Sequence, residues 1–382
     1  MLKKELDALK EKKLYRTLYD LAPVEGSCTK RSFKGKEYTL FCSNDYLGLA
    51  HDKRIKEVVK SVTDSHGTGS GASRLINGTT DMHVMLEKKI AEFKRKEASL
   101  CYSTGYMANL GVISALADKN SLIVVDKLNH ASIIDACRLS EANMRVYPHN
   151  NMSKLEKILQ RSSAYKRKII ITDSIFSMDG DAADLLTIVG LKKKYNALLI
   201  VDEAHAVGVL GQRGSGLAES LDCEKDIDVT VGTLSKACGL LGGFAAGRKE
   251  IIEYLVNKSR AFIYTTALPP AFCAAACKAL DLIEEGKERS KLTENINFFK
   301  QTSNKLGEAF NSHLSAIFPI IIGEAKEALS IADQLFEEGF FVPAVRPPTV
   351  PKGASRLRIT LSAAHSFAEI QELINIIAQK KR

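Results

Sequence analysis

No stretch of this 382-residue chain approaches the roughly 18 consecutive apolar residues of a membrane span. Residues 1–13 mix charge with leucine and lack the apolar core of a secretory signal, so a soluble protein is expected. The eight cysteines include no CxxC pair, which argues against both structural zinc and a disulfide framework. Their scatter points to a reducing compartment, with the cytoplasm as the expected location. Cys273 and Cys277 share a helical face, but in alanine-rich company that reads as core rather than as a ligand pair. Also missing is any GxxxxGK[ST] run, so Asp202-Glu203-Ala204-His205, which spells the acidic motif of a helicase ATPase, has no phosphate cradle to serve. A nucleic-acid motor is excluded on that missing part. Internal repeats and low-complexity segments are absent as well.

What is present is an ordinary globular balance. At 45% hydrophobic residues, a chain of this length buries a large core and divides into two or three domains. The net charge of +9 is compatible with nucleic acid, an acidic partner or phosphate-bearing ligands. The lysines come in helical runs such as Lys192-Lys193-Lys194, the pattern of a solvated face, and no aromatics interleave with them as a base-stacking platform requires.

Leu2, Leu6 and Leu9 recur at helical spacing, predicting an amphipathic helix over residues 1 to about 20, followed by a strand pair over 30–41 that turns at Lys34-Gly35-Lys36. Between 45 and 275, apolar runs alternate with helical stretches, the signature of a mostly parallel sheet covered on both faces. The strand candidates are 99–102, 122–126, 169–173, 198–202, 229–233, 244–247 and 262–265. Three of them end in an acid, Asp126, Asp173 and Asp202, where parallel sheets build their sites. Beyond 275 come polar helices, then strands near 317–323, 340–345 and 357–361. A last helix opens on a Ser366/Glu369 capping box. The expected organisation is an N-terminal helix and strand pair (1–44), a large α/β domain (45–275) and a small C-terminal α+β domain (276–382). Pro343, Pro347, Pro348 and Pro351 stiffen a loop that carries Arg346 and Thr349, which suits ligand holding better than mere connection.

The chemistry concentrates in the middle of the chain. Gly67-Thr68-Gly69-Ser70-Gly71 is no dinucleotide fingerprint, because no strand precedes it and the spacing is not GxGxxG. Lys236 sits among hydroxyl and small residues, and Asp202 ends an apolar run upstream. A lysine amine that can condense with an aldehyde, plus an acid that can pair with a protonated pyridine nitrogen, are the two groups pyridoxal phosphate chemistry requires. Alone, Lys236 would be one more solvated lysine. Its company raises it: the strand-end acids, and the turn Ser103-Thr104-Gly105-Tyr106, whose free N–H groups at a helix start can hold a phosphate. A non-catalytic scaffold would leave that gathering unexplained.

Five segments carry a family resemblance: Ser43-Asn44-Asp45-Tyr46-Leu47-Gly48-Leu49, Gly69-Ser70-Gly71-Ala72-Ser73-Arg74, Ser174-Ile175-Phe176-Ser177-Met178-Asp179-Gly180, Asp202-Glu203-Ala204-His205 and Thr233-Leu234-Ser235-Lys236. In this order they resemble the α-oxoamine synthases, fold-type I pyridoxal phosphate enzymes that join an amino acid to an acyl thioester with loss of carbon dioxide. Arg346-Pro347-Pro348-Thr349-Val350-Pro351, the run Arg356-Leu357-Arg358-Ile359-Thr360, Asn129-His130-Ala131-Ser132 and His149-Asn150-Asn151 most resemble the branch that uses L-alanine and a pimeloyl thioester in biotin biosynthesis. Asn151 departs from the usual Asp, and Ser235 stands where some members carry Gly. The resemblance implies a seven-stranded, mostly parallel sheet in the large domain and pyridoxal 5′-phosphate as cofactor. It implies catalytic roles for Lys236, His130 and Asp202, and cofactor contacts from Gly105, Tyr106, Ser177, His205 and Thr233. Arg16, Asn44, Thr349 and Arg358 would bind substrate, Arg358 by a bidentate pair with the amino-acid carboxylate. The implied partners are L-alanine, pimeloyl-CoA or pimeloyl-acyl carrier protein, and a second copy of the chain in a homodimer, with Asn44 and the Thr265-Thr266 turn reaching the neighbouring site. No metal, nucleic acid or membrane partner is expected. Members that use glycine and an acetyl thioester share the same cofactor machinery, so that reaction is the alternative.

Overall fold

Runs such as Leu122-Ile123-Val124-Val125 and Ile169-Ile170-Ile171 put apolar side chains on both faces of a strand, and all of these side chains are buried. Such strands are stable only between two helical layers. The computed structural model describes residues 2–306, 310 and 313–380. They cluster into two units, Leu49–Ser177 with Asp181–Arg289, and Met1–Gly48 with Met178–Gly180 and Ser290–Arg382. This division differs from the three segments read from the sequence (1–44, 45–275 and 276–382). The N-terminal strand pair is drawn into the second unit because Phe340 and Phe341 add a parallel strand beside Thr39 and Leu40.

The larger unit is built on seven strands: β1 (Ala98–Tyr102), β2 (Ser121–Asp126), β3 (Asn143–Tyr147), β4 (Arg167–Asp173), β5 (Leu198–Asp202), β6 (Val229–Thr233) and β7 (Gly243–Gly247). Their order is β1-β7-β6-β5-β4-β2-β3. β7 runs antiparallel to both its neighbours, and the remaining pairs are parallel. The seven-stranded, mostly parallel sheet expected from the sequence is therefore present, but with one member exchanged. Residues 262–265 do not form a strand. Phe262 and Ile263 close a single helical turn, Arg260–Ile263, held by amides that donate to Ser259 O and Arg260 O. Phe262 is buried edge-on against Tyr102, whereas Tyr264 is exposed. The aromatic and β-branched run that imitates a strand is thus a packing anchor. The seventh strand is β3, an edge strand whose Asn143, Arg145 and Val146 are exposed, so it carries none of the apolar run that marks a central strand.

Lys236 lies in the tight link between β6 and β7. The Gly239 amide donates to Lys236 O at 2.9 Å and Leu240 N–H donates to Leu234 O at 2.9 Å. Gly239 has φ +69°, and a Cβ there would stand 2.2 Å from Ala50 N, so only glycine closes this turn.

In the smaller unit, Lys30–Phe33 and Lys36–Leu40 pair antiparallel around Lys34 and Gly35, both at positive φ, the geometry of a type I′ hairpin. Ile317–Gly323 pairs with Ser355–Thr360. The strand expected over 340–345 is two short ones, Phe340–Phe341 and Ala344–Val345, in different sheets. Pro343 between them has no N–H for a continuous ladder. The N-terminal helix covers Leu2–Glu11 rather than 20 residues, ending where Lys13 turns left-handed at φ 55°. The Ser366/Glu369 box caps Phe367–Lys380 in both directions. Among the described residues, no helix is long and apolar enough to cross a membrane.

In the larger unit, His149 ties the segment after β4 to the end of β2. Its Nδ1 lies 3.0 Å from Asp126 Oδ1 and its Nε2 lies 2.7 Å from Asp181 Oδ2, with the Phe176 ring edge-on. Burial lowers its pKa, but hydrogen bonds to Asp126 and Asp181 override this and raise it from 6.5 to about 10. The imidazolium therefore stabilises the fold fully below pH 6.5, and this contribution fades as pH rises through about 10. His149→Gln is expected to lower the melting temperature at pH 7 and to flatten its decline between pH 7 and 10. Thermal unfolding across that range checks both; a variant whose melting curve parallels wild type at every pH would show that the imidazolium carries no such weight.

Candidate active site

Three adjacent strands, β2, β4 and β5, each end in a buried aspartate. Each carboxylate is held by backbone amides. Asp126 accepts from Leu128 N–H and Asn150 N–H, both at 2.8 Å. Asp173 accepts from His130 N–H at 2.8 Å, and Asp202 from Ala204 N–H at 2.8 Å. Asp202 is further fixed by Asn109, whose Nδ2 donates to Asp202 Oδ2 at 2.7 Å and to Ser132 Oγ at 2.9 Å. Burial, then the neighbouring Asp202 charge, push Asp173 well above the usual carboxylate range. Asp173 therefore favours the neutral form.

Asp173 and Asp202, though not Asp126, border a cavity of about 230 Å³, lined by Thr104, Gly105, Tyr106, Asn109, His130, Ser132, Asp173, Asp202, Ala204, His205, Gly232, Thr233, Ser235 and Lys236. It is smaller than the ~300–1,000 Å³ typical of drug-sized ligands, room for one substituted aromatic ring with a small anionic group. Seven residues singled out from the sequence meet in it: Gly105, Tyr106, His130, Asp202, His205, Thr233 and Lys236.

One end is a helix start. Thr104 caps Gly105–Leu116 by accepting from Met107 N–H at 3.1 Å, which leaves the Gly105 and Tyr106 amides outside the helical ladder. A Cβ on Gly105 would press to 3.1 Å from Thr233 Cβ, and one on Gly243 would fall 2.5 Å from Gly105 N. The helix start therefore sits directly on β6 and β7 with no side chain between, forming a cradle for an anion. Thr233 Oγ1 lies 2.8 Å from Ser235 Oγ and donates to Gly242 O at 2.9 Å. The Tyr106 hydroxyl donates to Asp135.

His130 caps the next helix, its Nδ1 accepting from Ser132 N–H at 3.3 Å and lying 2.7 Å from Ser132 Oγ. Burial lowers its pKa, with Asp202 opposing and Lys236 assisting, which favours the neutral ring. An amine, a buried acid locked by two donors, a neutral imidazole and an amide cradle meet the needs of pyridoxal phosphate: aldehyde, ring nitrogen, ring face and phosphate. Asn109 Oδ1 is buried without a hydrogen-bond partner, so the side chain is aimed by its amide nitrogen rather than by a full complement of bonds.

Ser177 is not among the lining residues; it stands half-buried beyond the Ile175–Ala182 bridge. Within the smaller unit, Arg358 is buried on Ser355–Thr360 and donates from Nη2 to Asn44 Oδ1 at 3.3 Å, so these two expected substrate residues adjoin. Arg16 Nη2 donates to Thr349 Oγ1 at 3.0 Å, joining the other pair. Sequence reading passed over Asn109, four residues after Gly105 and the single amide side chain in an otherwise apolar helix, and that contrast was the available signal. Asp173 appeared only as a strand end, because its role depends on the lateral proximity of β5.

The family model described as aminotransferase class I and II matches residues 36–377. The chain is 44% identical over 378 residues to an 8-amino-7-oxononanoate synthase of Geobacter sulfurreducens, covering 98% of this chain and 96% of the relative. Among solved structures, an 8-amino-7-oxononanoate synthase of Francisella tularensis superposes with a TM-score of 0.78 at 33% identity, covering 90% of this chain and 97% of that one. A serine palmitoyltransferase described with a PLP internal aldimine superposes with a TM-score of 0.93 at 30% identity, covering 99% of this chain and 96% of that one.

Removing the Asn109 amide strands a buried carboxylate oxygen. Asn109→Ala is expected to cost about 1–3 kcal/mol. Asn109→Asp should cost more, because it sets a like charge against Asp202, and the extra loss should grow with pH as the new acid ionises. Urea unfolding at pH 5 and 8 checks this; equal stability of the two variants at both pH values would mean that Asn109 does not hold Asp202.

Proposed function

The chain belongs to the aminotransferase class I and II family, and from that membership we propose that it condenses L-alanine with a pimeloyl thioester in biotin biosynthesis. The products are 8-amino-7-oxononanoate, carbon dioxide and the free thiol. The observation that carries this reading is the cavity in which Lys236 and Asp202 face one ring-sized space, in a chain 44% identical over nearly its whole length to an enzyme of that name.

Pyridoxal phosphate, when bound, supplies an aldehyde that takes up an amine and a ring that accepts the electron pair released at the amino acid's α-carbon. Lys236 would hold the cofactor through its amine, and the same amine is placed to move protons at the substrate's α-carbon. Asp202, fixed by Asn109 Nδ2 and Ala204 N–H, would pair with the pyridine nitrogen of the cofactor and hold a proton there. His130 would cover the ring face and His205 would bond the ring hydroxyl. Gly105, Tyr106 and Thr233 would hold the phosphate, whereas Ser177, which does not line this cavity, is left without the ring-edge contact that the resemblance implies. Arg358 orients the alanine carboxylate, beside Asn44. Arg16 and Thr349, already bonded to each other, line the acyl entrance.

The reading includes a cytoplasmic homodimer. Supporting it, the eight cysteines are free thiols, and the larger unit exposes Leu75, Ile76, Val84, Met85 and Tyr264 on and beside the 73–85 segment, more apolar surface than an isolated unit needs.

The purified protein should be yellow, and borohydride should fix the cofactor on Lys236, as peptide mass spectrometry would read. Protein that stays colourless when pyridoxal phosphate is added ends the proposal. Asp202→Asn should keep the colour and lose about 10²–10³-fold in turnover. In a thiol-release assay, alanine with pimeloyl-CoA should exceed glycine by roughly 10- to 200-fold, since one methyl in a fitted pocket is worth only about 1–3 kcal/mol. Preference for glycine with acetyl-CoA would move the protein to the alternative reaction.

A further inference from the structure

The carboxyl end of β4 carries an acid for which the functional reading has no use. β2 and β4 pair as a parallel ladder only as far as Val125 with Ile171. Beyond that point side chains continue the ladder. Asn129 Nδ2 donates to Ile171 O at 2.9 Å, and Asn129 Oδ1 accepts from Asp173 N–H at 3.2 Å. Asp173 Oδ2 in turn accepts from His130 N–H at 2.8 Å. Residues 129–130 are thereby stitched to the end of one strand, and both Asn129 and Asp173 are buried.

His130 is the N-cap of the helix Ala131–Leu139. The backbone N–H of an N-cap residue lies outside the helical ladder, so its acceptor must come from another segment. Asp173 is that acceptor. The imidazole is held from the opposite side, by the Ser132 N–H and hydroxyl. Ser132 Oγ accepts from Asn109, which also holds Asp202. Contacts with the helix therefore fix the rotation of the ring, and Asp173 fixes the backbone from which the ring projects. Asp173 is also the register partner of Asp202 across β4 and β5. Accepting an amide hydrogen needs no charge, and a second charge beside Asp202 would be repelled. The groups facing Asp173 agree: burial, then Asp202 and more weakly Asp126, favour its protonated form over the opposing His130 amide and Lys236.

We propose that Asp173 is a positioning residue, whose bond to the His130 amide sets where the imidazole meets the cavity. The inference rests on the pyridoxal phosphate reading, in which His130 covers the ring face. It requires an acceptor at residue 173 and no charge there. A direct role as a second anion against the cofactor would need the carboxylate form that burial and Asp202 disfavour. A role confined to holding the sheet would leave His130 indifferent to residue 173. Substitutions that remove the acceptor, or only the capacity for charge, separate these three roles.

The full chain loaded with pyridoxal phosphate tests this by the visible circular dichroism of the bound cofactor and by turnover of alanine with pimeloyl-CoA. Asp173→Ala removes the acceptor. It is expected to lower kcat about tenfold, with the KM for alanine little changed, and to weaken the dichroic band. Asp173→Asn offers an acceptor of the same shape and is expected to recover most of this, to within about threefold of wild type. In a His130→Ala background, Asp173→Ala is expected to add no further loss, because the two residues act as one unit. Equal losses for the Asn and Ala variants would assign the effect to charge and overturn the inference. Additive losses in the double variant would overturn it too, by giving Asp173 a role apart from His130. Should Asp173→Ala not fold, the Asn variant decides: turnover and dichroism near wild type uphold the inference, and a loss as large as that of Asp202→Asn overturns it. The cofactor-free protein gives a separate readout. The His130 ring resonances, assigned by their loss in His130→Ala, should move in Asp173→Ala and stay in place in Asp173→Asn; resonances unmoved by Asp173→Ala would overturn the inference. Wild-type protein that stays colourless with pyridoxal phosphate overturns the functional reading instead, and the resonances then test the hold on His130 by themselves.

Discussion

Three carboxylates buried side by side at one edge of a sheet are the constraint on which the larger unit depends. Neighbouring strands lie roughly 4.8 Å apart, so Asp126, Asp173 and Asp202 on β2, β4 and β5 crowd one another; Asp173 favours its neutral form, and each needs donors aimed at it. Each demand is met by a different segment. Leu128 and Asn150 amides with His149 answer Asp126, the His130 amide answers Asp173, and Asn109 with the Ala204 amide answers Asp202. The loops after these strands are thereby set in place by electrostatic need. The candidate site and the ordered carboxyl ends of these strands are two consequences of the same arrangement.

That dependence explains why the fold was largely legible in the sequence. A strand buried on both faces writes itself as a continuous apolar run, and β2, β4, β5 and β6 are such runs. An edge strand does not. β3 has one buried residue, Tyr147, in five, and its alternation resembles any exposed loop. Residues 262–265 failed in the opposite way, because β-branched and aromatic residues also serve a buried helical turn. Local propensity cannot separate the two without the Tyr102 ring that Phe262 meets.

The candidate site was legible to the extent that its chemistry demands a rare residue at a strand end. Lys236, Asp202 and the Gly105 turn announce themselves by type and position. Asn109 and Ser132 act only through other side chains, one steadying the acid and the other linking Asn109 to His130. A supporting residue has no signature until its partner's coordinates are known. Ser177 illustrates the converse. Its motif is distinctive, yet it lies outside the cavity lining, so a motif alone does not say how its side chain is delivered.

The net charge of +9 is not spread evenly in its effect. In the larger unit, long cationic side chains are spent on structure: Lys94 on the buried Glu203, Arg74 on Glu87 at 2.7 Å, and Arg213 on Glu219 and Glu224. Arg74 and Lys94 are buried cations that would destabilise the unit if their acids were removed, which makes them part of the core rather than of any ligand surface. Arg356 is spent the same way in the smaller unit, on Asp179. Other cations have no acid partner, and three of them, Lys13, Arg16 and Arg346, gather around an aromatic floor. Composition reports the sum of these two populations, and a sum cannot distinguish cations already committed to carboxylates from those that are not. The distinction is made by the partners each side chain has within its own unit.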